Sequence, residues 1–131
     1  MPLKCVLDTN IILSAILSYE GYPARIFDAV VEKEIKIYIT EEIIDEYKDV
    51  LSRDYFKISH EKVGRTINII RKLGEMIIAE TSDFLMEDES DRVFYDAAQN
   101  AEAWLVTGNI RHYPKKEFII TPAGFCRKFK F

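Results

Sequence analysis

Cysteine is almost missing from this chain of 131 residues; Cys5 and Cys126 are its two. Two thiols make no disulfide framework and lack the paired spacing of a zinc site, so both are expected as small core residues. Histidine is as scarce, and neither copy has the spacing of a metal ligand pair. No apolar stretch approaches the roughly 20 residues of a membrane span. Met1-Pro2-Leu3-Lys4 runs straight into an apolar segment, leaving no room for a signal peptide, which makes cytoplasm the expected compartment. Repeats, low-complexity tracts and long linkers are lacking too. What remains is 48% hydrophobic and 31% charged, an ordinary soluble composition. The length suits one domain, residues 1–131, with a core covered on two sides.

An excess of positive charge is also lacking, since the net charge is −4. That figure conceals an asymmetry. Residues 80–103 carry Glu80, Asp83, Glu87, Asp88, Glu89, Asp91, Asp96 and Glu102 against Arg92 alone. Residues 104–131 carry Arg111, Lys115, Lys116, Arg127, Lys128 and Lys130 against Glu117. A basic end beside an acidic pocket suits a metal site that handles a polyanion, whereas scattered lysines on a solvated tail would mean nothing.

Short apolar runs at 3–8, 36–40, 76–80, 104–107 and 118–121 read as strands. Helical patterns alternate with them. Asp8 is followed by a helical Ile-Ile-Leu-Ser-Ala-Ile-Leu, and Ile26, Phe27, Val30 and Val31 share a face after Pro23. Ile43, Ile44, Tyr47, Val50 and Leu51 form another stripe, then Val63, Ile67, Ile70 and Leu73 before Gly74. Residues 41–74 therefore hold two helices in a row, with a break near 55–59. Val93, Phe94, Ala97, Ala98 and Ala101 precede the fourth strand. Strand–helix alternation with short connections predicts a three-layer α/β/α sandwich around a mostly parallel sheet of about five strands.

The run Cys5-Val6-Leu7 is apolar on successive residues, as a parallel strand buried on both faces should be. Asp8 ends it and stands where open α/β sheets put their chemistry, outside the carboxyl ends of the strands. A turn residue is the plainer alternative, so the question is which other acids reach the same edge. Glu46 borders the apolar stripe of its helix, where an ionised carboxylate needs a partner such as Arg53 or Lys48, or a cation. Asp91 opens the helix 92–102 and can serve as an N-cap, as a ligand, or as both. Asn109 leaves the fourth strand at the edge of Asp8 and offers a neutral oxygen. Ser14 and Cys5 have no evident base partner for nucleophilic chemistry, and His112 reads as a loop residue.

The ordered set Val6-Leu7-Asp8-Thr9-Asn10, the helical Glu46, Asp91 opening an alanine-containing helix, and Thr107-Gly108-Asn109 resembles the PIN domain. It is most similar to the PIN-family toxin components of bacterial and archaeal toxin–antitoxin pairs, over nearly the whole chain from Asp8 to the Pro122 region. Asp8, Glu46 and Asp91 match the family's three core acids. Thr107 matches its threonine, and Asn10 the polar residue after the first acid. The sequence departs from the pattern at Asn109, where a fourth Asp often stands, although a Thr-Gly-Asn variant followed by His-aromatic-Pro, here His112-Tyr113-Pro114, also resembles part of the group. The resemblance implies a Mg²⁺- or Mn²⁺-dependent endoribonuclease acting on single-stranded RNA. Asp8, Glu46 and Asp91 are then metal ligands, Asn109 shares the catalytic site, and Asn10 and Thr107 support it. A cognate antitoxin and a homodimer are the partners it implies, with no role for a membrane.

Three other readings compete. A non-catalytic or weak PIN-type module that binds RNA or protein is favoured by the missing charge at Asn109. A phosphoacceptor receiver would want an Asp ending the third strand and a Lys on the fifth, where Glu80 and Thr121 stand. A dehalogenase-like phosphatase would want a second Asp in place of Asn10.

Overall fold

The computed structural model describes residues 2–83 and 85–131; Met1, counted above at the start of the chain, lies outside them. Five strands form the middle layer: β1 (Leu3–Leu7), β2 (Ile35–Ile39), β3 (Glu75–Met76), β4 (Trp104–Val106) and β5 (Ile119–Ile120). They are parallel and ordered β3-β2-β1-β4-β5. The helices are α1 (Thr9–Leu17), α2 (Tyr22–Val31), α3 (Glu41–Leu51), α4 (His60–Leu73), α5 (Arg92–Ala101) and α6 (Pro122–Phe129). α1, α2 and α6 pack in sequence against one another, α3 packs on α4 and α5, and α5 lies on β1, β2 and β4. This is the three-layer α/β/α sandwich.

β1 is central because its residues tolerate nothing else. Cys5, Val6 and Leu7 are wholly buried, with β2 on one side and β4 on the other. β2 buries Ile35, Ile37 and Ile39 and leaves Tyr38 half-covered, where the Lys4 ammonium stands 5.2 Å from the ring centre. Helix starts are fixed by hydroxyl caps: Thr40 accepts from Ile43 N–H, Ser59 from Lys62 N–H and Thr121 from Gly124 N–H, each at 3.1 Å. Such caps contribute about 1 kcal/mol each. The break after α3 is real, and contains a 3-10 turn at Asp54–Phe56 followed by Lys57 in the left-handed region.

Two elements differ from expectation. The third strand was expected over 76–80 but pairs for two residues, and 77–83 run on without regular structure. After Ile77 donates to the Ile39 carbonyl, at 2.8 Å, the chain leaves the sheet edge. Its amides then meet α5 side chains instead: Asn100 Oδ1 accepts from Glu80 N–H and Asp96 Oδ2 from Ser82 N–H. The apolar pattern is present, but β2 ends at Ile39 and, among the described residues, offers this segment no further strand to pair with. The second difference is α6, a helix that follows β5 where the sequence pattern above predicts none. Pro122 begins it at a position where a missing N–H costs nothing, and its residues Phe125 and Cys126 enter the core.

Strand order places a switch point between β1 and β4, since the chain builds β2 and β3 on one side of β1 before crossing to β4. Asp8 N–H donates to the Val106 carbonyl at 3.0 Å, so the two strand ends are sewn together there. A crevice at such a point is the ligand position of open α/β sheets.

Gly74, between α4 and β3, is required by space. A Cβ there would lie 2.7 Å from the Ile70 carbonyl oxygen and 3.1 Å from Ile39 Cδ1. Gly64 within α4 has nothing within 4 Å of its would-be Cβ. Gly74→Ala is expected to lower stability by about 1–3 kcal/mol through overpacking, and Gly64→Ala to raise it by up to about 1 kcal/mol through helix propensity. Urea midpoints at unchanged slope measure both, and the same sign for the two would refute the packing argument.

Candidate acid centre at the switch point

β1 delivers Asp8 to the crevice and α1 starts at the next residue. The carboxylate is 5% exposed. Thr107 Oγ1 donates to its Oδ2 at 2.7 Å and the Tyr113 hydroxyl to the same oxygen at 3.0 Å. Thr107 Oγ1 in turn accepts from Asn109 N–H at 3.0 Å. A hydroxyl that accepts there has its single hydrogen free for Asp8. Asn10 Oδ1 accepts from Gly108 N–H at 3.1 Å, clasping the turn after β4 to the start of α1. The two supporting residues, Asn10 and Thr107, thus hold the loop and the acid together.

Glu46 lies on α3, half-buried. The adjacent Tyr47 is buried, stacks on Phe94 at 6.0 Å between ring centres, and donates to the Leu7 carbonyl just before Asp8. That bond pins α3 to the end of β1 and keeps Glu46 at the crevice edge. Of the partners considered for Glu46, Arg53 is engaged by Asp49 at 3.1 Å. Asp91 sits at the N-cap position of α5, but its own backbone is already helical and its side chain makes no capping bond. Asp88 does the capping one turn earlier, accepting from Ser90 N–H at 3.0 Å and from Ser90 Oγ at 2.8 Å. The Asp91 carboxylate is left over: Oδ2 is buried without a hydrogen-bond partner among the described residues. His112 Nδ1 is 3.7 Å from it, an ion-pair distance when the ring is protonated but too long for a hydrogen bond. Asn109 is exposed at the rim of the turn.

The electrostatics bind these groups into one neighbourhood. Burial raises the Asp8 carboxyl above its ordinary range, against the hydrogen bonds of Thr107, Tyr113 and the Thr9 amide, which lower it. Burial, then Asp49, Asp8 and Asp88, raise Glu46, with Arg53 opposing. Asp91 is pushed up to about 6 by burial first, then by Asp8, Asp88 and Glu46, with His112 pulling the other way. Asp91 feels Asp8 and Glu46, and Glu46 feels Asp8, yet among the described residues no three His, Cys, Asp or Glu side chains close into a ligand shell. Carboxylates brought to one point repel unless a cation or a shared proton lies among them. The donors are hard oxygens, and one of them is buried and unpartnered. That chemistry fits Mg²⁺ or Mn²⁺, which take oxygen ligands and keep several waters.

The basic end of the sequence divides in two. Arg111, Lys115 and Lys116 stand on the β4–β5 loop beside the crevice. Lys128 lies over Trp104, 5.6 Å from the ring centre, at the start of β4 and so at the other end of the strands, with Arg127 and Lys130 as its chain neighbours. Sequence reasoning placed Tyr47 in an apolar stripe and Tyr113 in the His-aromatic-Pro run without finding the bonds their hydroxyls make, and gave His112 no place beside Asp91. An apolar-stripe tyrosine carries no local sign that its hydroxyl has a buried partner; the need for one is the sole signal.

Burial and like charge make a pH dependence. Because Asp91 rises from 3.8 to about 6, the folded chain holds a proton between those values that the unfolded chain has released. The Asp91 contribution to the stability of the metal-free protein therefore falls as pH rises through that window, and the loss is complete above it. Asp91→Asn should flatten the curve and exceed the wild type above pH 6 by no more than about 3 kcal/mol, at 1.36 kcal/mol per unit. Below the window the two should coincide. Denaturation at a series of pH values decides, and a difference between wild type and Asp91→Asn that stays constant through that window would sink the assignment.

A sequence model described as the PIN domain matches residues 4–111. The uncharacterised protein MJ1680 of Methanocaldococcus jannaschii is 26% identical over 112 residues, which cover 83% of this chain and 72% of that protein. Among solved structures, the crystal structure of VapBC2 from Rickettsia felis bound to a DNA fragment from their promoter shares the fold. Its TM-score is 0.61 at 19% identity, with 91% of this chain and 97% of that chain covered. Fold and family match agree: the chain belongs to the PIN domain family.

Proposed function

We propose that the protein is a divalent-metal-dependent endoribonuclease that cleaves single-stranded RNA, and that it is the toxin component of a toxin–antitoxin pair. The carrying observation is the buried, unpartnered Asp91 Oδ2 in the same crevice as Asp8 and Glu46. PIN domains are in general nucleases, and the membership stated above supports that chemistry. Asp8, Glu46 and Asp91 would hold Mg²⁺ or Mn²⁺, with Asn109 as a neutral auxiliary. A cation held there supplies an activated water and neutralises charge on the phosphate.

The chain's own residues have distinct tasks in this reading. Thr107 and Tyr113 hold Asp8 in one orientation through its Oδ2. Tyr47 keeps Glu46 at the crevice by anchoring α3 to Leu7. Asp88 relieves Asp91 of capping duty. No side chain need form a covalent intermediate. An antitoxin partner is supported by the resemblance to PIN-family toxins and by the fold shared with VapBC2, and a second copy of the chain is the expected companion. The weaker alternative, a non-catalytic binding module, has the neutral and exposed Asn109 in its favour.

Asp8→Asn and Asp91→Asn test the reading without emptying the site. Asn keeps an oxygen for the Thr107 and Tyr113 hydroxyls, whereas Ala at position 8 would orphan two buried donors. Each variant should retain its fold and lose at least about a hundredfold in RNA cleavage, or about 2.7 kcal/mol of transition-state stabilisation. EDTA should abolish cleavage by the wild type, and Mn²⁺ or Mg²⁺ restore it. Full activity in EDTA, or in Asp91→Asn, would refute the metal reading.

Asn109→Asp restores the family's fourth charge. At an exposed position beside a partly solvated ion the effective dielectric is high, so metal binding should tighten by at most about 1 kcal/mol. Asn109→Ala should weaken it less than Asp8→Asn does, since water can replace a neutral ligand. Calorimetric titration of the set reads the order, and equal affinity in wild type and Asn109→Asp removes residue 109 from the ion's surroundings.

A further inference from the structure

The β4–β5 loop bounds a cleft of about 670 Å³ beside the acid centre. Sites that enclose small ligands run to roughly 300–1,000 Å³. Ile110, Pro114 and Ile119 give this one apolar walls, and Arg111, Lys115 and Lys116 outnumber its single acid, Glu117. Tyr113 belongs to both places: it lines the cleft, and its hydroxyl donates to Asp8 Oδ2. The cleft and the acid centre therefore share a wall one side chain thick.

We propose that this cleft seats one nucleotide of single-stranded RNA next to the acid centre, with the base against Ile110 and Pro114 and flanking phosphates on Arg111 and Lys115. The inference rests on the nuclease reading and names where its substrate lies. Charge is the first argument. The chain is net −4, and Asp8, Glu46 and Asp91 present like charge to any phosphate that approaches. A polyanion reaches such a centre when cations stand beside it, and Arg111 and Lys115 are exposed on the loop that adjoins it. Lys128 of α6, over Trp104 at the start of β4, stands at the other end of the strands and does not line the cleft. The second argument is shape. Apolar walls with cations attached suit a base and its phosphates, and a base can enter only when it is unstacked and unpaired. Tyr113 then fixes the distance between this nucleotide and the reacting phosphate, because its ring forms the cleft and its hydroxyl holds Asp8.

Binding is separated from cleavage by working in EDTA. The anisotropy of a short labelled single-stranded RNA is titrated with wild type, with Arg111→Ala/Lys115→Ala, and with Arg127→Ala/Lys128→Ala as a charge-matched control. The cleft pair should weaken binding about tenfold and reduce the slope of log affinity against log salt by about 1.4, or 0.7 per phosphate contact on a single strand. The control pair should change neither. Wild-type affinity in the cleft pair, or an equal loss in both pairs, overturns the proposal. Failure of the parent reading looks different: wild type would bind RNA through the cleft yet never cleave it with Mg²⁺ or Mn²⁺. Conversely, a cleft pair that cleaves with unchanged KM leaves the nuclease reading standing and removes the cleft. Duplex RNA of the same sequence should bind more weakly, and equal affinity would count against a seated base.

Discussion

A carboxylate almost wholly withdrawn from water organises this molecule. Asp8 would be costly at the end of a central strand without compensation, since a buried ionised group needs hydrogen bonds or a counter-charge. Thr107 and Tyr113 supply two hydroxyl donors from a loop that the sequence places about a hundred residues away. Because those bonds join the end of β1 to the loop after β4, they also close the switch point of the sheet. Asn10 to Gly108, Thr107 to Asn109 and Tyr47 to Leu7 fasten α1, the loop and α3 to the same spot. Rigid placement of the acid and rigid closure of the fold are one set of interactions.

The rest of the charge is arranged around that point with a clear division. Arg53 pairs with Asp49, Arg71 with Glu41 and Arg92 with Glu89, all bridges with at least one exposed partner and so modest contributors to stability. Asp8, Glu46 and Asp91 have no such bridge to Lys or Arg among the described residues, and all three carboxyls are raised above their ordinary values. Burial comes first among the causes in each case, and repulsion from neighbouring carboxylates adds to it at Glu46 and Asp91. A centre built this way lowers the stability of the bare protein near neutral pH and gains most from a cation. That exchange of stability for binding is the physical content of an acid cluster at a switch point.

Much of this was legible beforehand, and the reasons are local. Apolar residues on successive positions identify β1 as central, and 3.6-residue stripes identify α3, α4 and α5 because burial of one face leaves that spacing. The third strand was overestimated because an apolar run signals burial without saying whether a neighbour is present to pair with it. Past Ile39 the partner strand β2 has ended, and Asp96 and Asn100 of α5 take the backbone bonds of the following segment. α6 is hard to read from sequence because Pro122 and Gly124 near its start are poor helix formers, although Thr121 caps it and Pro122 stands where proline is favoured.

The sequence by itself determined the alternation of strands and helices, the family resemblance, and which acids stand at strand and helix ends. These follow from periodicity and order, which are properties of neighbouring residues. Tertiary structure decided which side chains meet. It brought Tyr113 and Thr107 to Asp8, released Asp91 from capping by giving that task to Asp88, and set His112 beside it. It also split the basic end, leaving Arg111 and Lys115 near the acids and carrying Lys128 to the far end of β4. Charge along a chain carries no direction in space; the crossing from β3 to β4 and the turn of α6 back along the sheet are what gave each charge its place.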